Sequence, residues 1–145
     1  MDLIELLERD HEVIFHLIEK IQMRGKLFLN QCEEIFEIIK GEIYIHQIIE
    51  EKIFYPVLKD IKEVRGLILE SYEEHFLINE ILQKLGDVSF YSEEWLAKFA
   101  VFRELFEHHV DEEENDLFPI SRMFIEKEIF QKMAEEVEFL KSEVV

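Results

Sequence analysis

The sequence predicts an all-α protein, an up-down-up-down four-helix bundle with an additional C-terminal helix. Three observations carry that expectation. Only four glycines and two prolines occur in 145 residues, so there is little to break long helices. Apolar residues recur at intervals of three and four through most of the chain, the spacing of a helix face. No stretch alternates apolar and polar residues for long enough to make a useful strand. The length fits one domain, residues 1–145. A hydrophobic content of 48 %, with 13 phenylalanines, is enough to form a large core.

The elements are taken in chain order. Helix A is expected over about Asp2 to Met23. The segment "RGKLFLN" then turns the chain, with Gly25 as a helix stop and Asn30 as a cap. Helix B covers about Gln31 to Tyr55, and Pro56 marks or kinks its end, because proline lacks the amide hydrogen and restricts the residue before it. Helix C covers about Lys62 to Leu85. "GDVSFYS" reads as a loop. Ser92, placed before Glu93 and Glu94, reads as the start of helix D, which runs to about Asp116. A last amphipathic helix, E, covers about Ile120 to Lys141.

Charge and cysteine usage narrow the function. The formal charge of −18 repels nucleic acid and anionic lipid, since binding either needs clustered lysine and arginine. Cys32 is the single cysteine, so neither an internal disulfide nor a cysteine-ligated iron–sulfur cluster is expected. The amphipathic, acidic start "MDLIELLERDH" does not resemble a secretory signal, and no apolar run approaches membrane-spanning length. The expected compartment is the cytoplasm.

The chain repeats itself. "HQIIEEKIFYP" at 46–56 returns as "HVDEEENDLFP" at 109–119. "ERDHEVIFHLIEKI" in A also resembles "YEEHFLINEILQKL" in C, which implies two helical hairpins related by an approximate two-fold axis. Each helix carries one histidine on its apolar stripe. His11 follows Ile4 and Leu7, His46 follows Ile39 and Ile43, His75 lies between Ile68 and Ile78, and His109 follows Phe102 and Phe106. In B and D a glutamate, Glu50 or Glu113, comes four residues after the histidine and shares its face. Counting about 1.5 Å per residue from each turn places His11, His46 and His75 at similar heights. The C–D pair fits only if the loop at Gly86 absorbs some length.

Burying an unpaired carboxylate costs several kcal/mol even after relaxation, and no lysine or arginine shares these stripes. A metal cation would satisfy Glu50, Glu113 and the four imidazoles together. This donor set suits iron, manganese or zinc and disfavours copper(I). A lone histidine on an apolar face is more often a hydrogen-bonded core residue, and a lone His/Glu pair means little in a chain with 34 acidic residues. It is the conjunction of one inward histidine per helix with two matched His/Glu pairs that points to a metal centre. Glu51 and Glu114 read as outer-layer or solvated groups, with direct ligation left open. His16 and His108 fall off the stripes, and the run "DEEEND" reads as mostly solvated. Tyr44 and Tyr72 are within reach of the site, with core packing the expected role.

At these residues the sequence resembles the hemerythrin-like (HHE cation-binding) family, through "DLIELLERDH", "HQIIEEKIFYP", "EEH" and "HHVDEEENDLFP". The resemblance implies a non-haem di-iron centre bridged by oxo or hydroxo. It places His11 and His46 on one iron, His75 and His109 on the other, and Glu50 and Glu113 between them. It also implies a small ligand such as O2, NO or peroxide, with Phe102 and Phe106 among the walls. There are two departures. Oxygen-carrying members have a second histidine one turn on in helix C, where this sequence has Asn79, and an aspartate five after the D-helix histidine, where it has Glu113 at four. A centre one imidazole short favours sensing, oxidase, peroxide or NO chemistry over reversible oxygen carriage. Iron storage or donation and a metal-free interaction module are the remaining alternatives. The electron donor is left open.

Overall fold

The structure, a computed structural model, describes residues 1–23, 29–90 and 92–144. Among these residues it is helical with no strand. The helices are α1 (Leu3–Gln22), α2 (Leu29–Ile49), α3 (Tyr55–Leu58), α4 (Lys62–Gly86), α5 (Glu93–Glu112), α6 (Phe118–Phe124) and α7 (Lys127–Val144). A π-helical turn, Glu50–Phe54, joins α2 to α3, and a second, Glu113–Leu117, joins α5 to α6. α1 packs on α2, α4 packs on α5, and α7 lies against α1 and the first π-turn.

Local chemistry explains the helix starts. Asp2 and Glu5 form a reciprocal capping box on α1 at 3.0 and 3.1 Å, satisfying two backbone amides. Arg122 of α6 grips both oxygens of Asp2 at 3.0 and 3.2 Å and so ties the far end of the chain to this cap. Ser92 caps α5 by accepting from the Trp95 amide at 3.2 Å. Asn30 lies inside α2 rather than capping it. The stop expected at Gly25 lies outside the described residues.

The prolines do not end helices B and D. In both copies the chain stays helical through the proline, because the turn before it is π. The Tyr55 amide donates to the Glu50 carbonyl and the Phe118 amide to the Glu113 carbonyl, five residues back. Pro56 and Pro119 have no amide hydrogen, and in a regular α-helix each ring would clash with the carbonyl four residues earlier. The wider turn relieves that conflict. It also inserts a residue, which rotates the later side chains about the helix axis. After Glu50 the buried residues are Phe54, Tyr55 and Leu58, while Val57 is exposed. Helix E, expected from Ile120, is two pieces: α6 continues from the second π-turn, and extended backbone at Ile125 separates it from α7.

Two apolar clusters fill the interior. One contains Leu3, Leu7, Ile49, Phe54, Ile68, Leu117 and Phe130. The other contains Ile14, Ile39, Ile43, Ile78, Phe99, Phe102 and Phe106. All four stripe histidines fall between members of the two clusters along their own helices, so the polar groups form a layer sandwiched between dry ends. No described helix is long and apolar enough to cross a membrane.

Candidate metal centre

His11, His46, His75, His109, Glu50 and Glu113 come together in this layer. Each is at most 2 % exposed, and both glutamates are fully buried. Donor atoms of His11, His46, Glu50 and Glu113 lie within 4.8 Å of one another, as do those of Glu50, His75 and His109. The arrangement repeats across the two-fold. His11 Nε2 is 3.2 Å from His46 Nε2, and His75 Nε2 is 3.2 Å from His109 Nε2. His11 Nε2 is 3.1 Å from Glu113 Oε1, and His75 Nε2 is 3.1 Å from Glu50 Oε1. Within each i,i+4 pair the separations are 3.4 Å for His46–Glu50 and 3.3 Å for His109–Glu113. The C–D histidines therefore meet as closely as the A–B histidines.

A second layer fixes the rings. Every Nδ1–H donates to a carboxylate: His11 to Glu114 at 2.8 Å, His46 to Asp10 at 3.0 Å, His75 to Glu51 at 2.7 Å and His109 to Glu74 at 2.7 Å. Each histidine is thus held by an acid from a different helix. With the proton on Nδ1, the Nε2 lone pair faces inward, which is how metal-binding histidines are oriented. Glu51 and Glu114 are taken up in this way. Asp10 and Glu74 are partners that helix periodicity does not reveal. Each immediately precedes the stripe histidine of its helix, and this repeated acid–His dipeptide was the available signal.

Tyr55 is likewise absent from the residues expected at the site. Its buried hydroxyl donates to Glu113 Oε2 at 2.8 Å and lies 3.5 Å from His75 Nε2, while its ring stacks beside the His75 imidazole. The π-turn brings it in, and a regular helix would have left it off the stripe. Tyr44 is 62 % exposed and packs in neither core nor site. Tyr72 is 39 % exposed and meets the Tyr55 ring edge-on. Asn79 faces solvent beside Glu51. Phe118 lies over His11 with rings nearly parallel, and Phe106 meets His11 edge-on. Phe102 stands one ring further back, stacked on Phe106. His16 is exposed, and His108, 64 % exposed, lies outside the layer.

The electrostatics fit a cation. Without one, burial alone would push the His46 imidazole down, but the Glu50 charge and the Asp10 hydrogen bond overcome it and raise the ring to about 10. His11, His75 and His109 are raised against burial in the same way by the neighbouring carboxylates. Burial opposes ionisation of Glu50, yet the facing His46 charge and hydrogen bonds from its neighbours hold it well below the usual carboxylate range. Protons on the imidazoles thus occupy the role of a positive centre. They do so incompletely: Glu50 Oε2 is buried and accepts no hydrogen bond. An orphaned carboxylate oxygen in a dry pocket is costly, and a metal ion would satisfy it. Four imidazoles and two carboxylates suit iron, manganese or zinc.

A helical protein with a buried layer of paired histidines and glutamates defines a class, the metal-binding helical proteins built on a repeated hairpin. The hemerythrin HHE cation binding domain matches residues 2–121, and the chain belongs to that family. Uncharacterized proteins of Mycobacterium tuberculosis and Mycobacterium bovis are 30 % identical over 122 residues, covering 82 % of this chain and 71 % of theirs. A crystal structure of a hemerythrin HHE cation binding domain-containing protein from Mycobacterium kansasii superposes with a TM-score of 0.80 at 25 % identity. That match covers 99 % of this chain and 89 % of that one.

Proposed function

We propose that this pocket holds two iron ions and binds dioxygen or a related small ligand, NO or peroxide. The observation that carries the reading is the commitment of all four Nδ1 atoms to outer carboxylates, which turns four Nε2 lone pairs onto two buried glutamates. His11 and His46 would hold one iron and His75 and His109 the other, with Glu50 and Glu113 spanning the pair. Manganese or zinc fits the same donors. When bound, two ferrous ions supply electrons and an open position for the ligand. The four long rods are read as an up-down-up-down bundle with α7 added outside, in a cytoplasmic protein that takes electrons from an external donor.

The chain's own residues do the rest. Asp10, Glu51, Glu74 and Glu114 orient the imidazoles. Phe118 and Phe106 limit water on the His11 side. Tyr55 offers the hydroxyl proton on the His75 side.

That hydroxyl favours one second reading, turnover of peroxide or NO, because a chemical step needs a proton source that stoichiometric binding does not. Metal analysis with absorption spectra of anaerobic and air-exposed protein tests both. Two irons per chain and bands that change with oxygen or azide are expected, and steady-state consumption of peroxide or NO would select the enzyme. A folded protein that stays empty after anaerobic iron loading would reject both and leave a metal-free interaction module. Iron readily passed to a chelator would favour storage or donation.

A further inference from the structure

Beside the inner pocket lies a second donor cluster on the surface of the α4–α5 pair. Glu74, His108 and Glu112 each offer a donor atom, and these atoms lie within 4.8 Å of one another. His108 Nε2 is 3.3 Å from Glu74 Oε2 and 3.0 Å from Glu112 Oε1. Glu112 Oε2 has less than 1 Å² of exposed surface and no hydrogen-bond partner. The Glu112 side chain as a whole is 21 % exposed and its other oxygen faces His108, so a cation entering from solvent would satisfy the shielded oxygen. The cluster floors an open depression of about 620 Å³ whose rim adds Glu70 and Glu73 and no lysine or arginine. Such a basin concentrates cations.

The duplicated half carries different residues at these positions. The offset of 63 residues that carries His46 to His109 and Glu50 to Glu113 also carries Ile45 to His108 and Ile49 to Glu112. Ile49 is buried in the first apolar cluster. One half thus packs an isoleucine where the other sets a carboxylate with a shielded, unpartnered oxygen.

We propose that Glu74, His108 and Glu112 form an outer site for a labile divalent transition-metal ion. It sits one carboxylate away from the inner pocket, because Glu74 uses Oε1 to hold His109 Nδ1 at 2.7 Å and offers Oε2 to the outer cluster. One imidazole and two carboxylates, with remaining positions open to water, suit Mn²⁺, Fe²⁺, Co²⁺ or Zn²⁺. Binding is weaker than in the inner pocket, which offers more imidazoles and no solvent.

The test is titration of the metal-free full chain with Mn²⁺ under anaerobic conditions, counting free ion by EPR. One weaker equivalent is expected beyond those of the inner pocket. It is lost in His108→Gln and in Glu112→Gln and kept in Glu50→Ala, which depletes only the inner equivalents. The two readings therefore fail separately: an inner pocket that binds nothing leaves the outer equivalent to be judged alone. Equal stoichiometry and affinity in wild type, His108→Gln and Glu112→Gln would overturn the proposal, whether the total reflects the inner pocket alone or nonspecific binding to the acidic surface. A proton shared between Glu74 and Glu112 would then account for the cluster.

Discussion

The two hairpins build nearly the same half-site twice, and they differ at one hydroxyl. In one half His11 and His46 meet beneath Phe118, and in the other His75 and His109 meet beside Tyr55. The residues match: both come after a π-turn, precede a proline and lie against the histidine from α1 or α4. Tyr55 donates to Glu113 Oε2, whereas Phe118 has nothing to donate, and Glu50 Oε2 is left without a partner. The orphaned oxygen is therefore a consequence of broken symmetry. Duplication accounts for the shared donors, and the departure from duplication gives the pocket two chemically distinct sides.

The inner glutamates give the largest expected effect. Glu50→Ala removes the carboxylate common to both donor sets, and Glu113→Ala removes the one that faces His11 and His109, so metal occupancy should collapse at stoichiometric metal. Glu51→Ala and Glu114→Ala remove only the hydrogen bond that orients one ring, for which about a 10–100-fold loss in affinity is expected. The two outer variants should match within a few-fold, since their bonds are 2.7 and 2.8 Å and both side chains are about one-third exposed. Metal analysis of the four purified variants checks this. Equal occupancy in Glu50→Ala and Glu51→Ala would break the assignment of inner and outer acids.

Next in size is the pH dependence. In the metal-free protein the folded value of His46 is raised from 6.5 to about 10. A group raised on folding contributes stability that is complete below pH 6.5 and is lost as pH climbs through about 10. Metal must displace that proton, so affinity should move the opposite way, rising about tenfold per pH unit for each proton displaced. Urea melts of metal-free protein and competition titrations between pH 6.5 and 9 read the two trends. Stability of the metal-free chain that climbs across this window would contradict the carboxylate-raised imidazoles.

Much of this pocket was legible in the sequence because burial has a period. One histidine per apolar stripe, two His/Glu pairs and an internal echo located the six inner residues without reference to any structure. The second layer was harder. Asp10, Glu51, Glu74 and Glu114 each serve a histidine on another helix, and helix-to-helix reach is invisible to a pattern that scores one helix at a time. Tyr55 was hidden for a different reason. Periodicity assumes an unbroken helix, and the residue added before Pro56 shifts the phase just where the pocket closes. Pro56 stands out in the sequence as the mark or kink of a helix end, and Pro119 as a residue just beyond one. Their placement six residues after a buried glutamate in both repeats was the sign that a wider turn carries the helix through them.

The smallest expected effects probe the broken symmetry itself, in metal-free protein. Tyr55→Phe makes the halves alike by deleting the donor, leaving Glu113 Oε2 as bare as Glu50 Oε2. Losing a hydrogen bond to a buried carboxylate should cost about 1–3 kcal/mol, with little change in packed volume. Phe118→Tyr makes them alike in the other direction. Its ring lies 6.1 Å from that of His11 and is 3 % exposed, so an added hydroxyl has only the pocket to enter. Gaining the missing bond to Glu50 should be worth about 1 kcal/mol, less any strain of fitting the extra atom. Urea midpoints should therefore fall for Tyr55→Phe and rise slightly for Phe118→Tyr, and the double variant should lie near wild type because it only exchanges the two sides. A double variant as unstable as Tyr55→Phe alone would show that the tyrosine hydroxyl acts through something other than the carboxylate it faces.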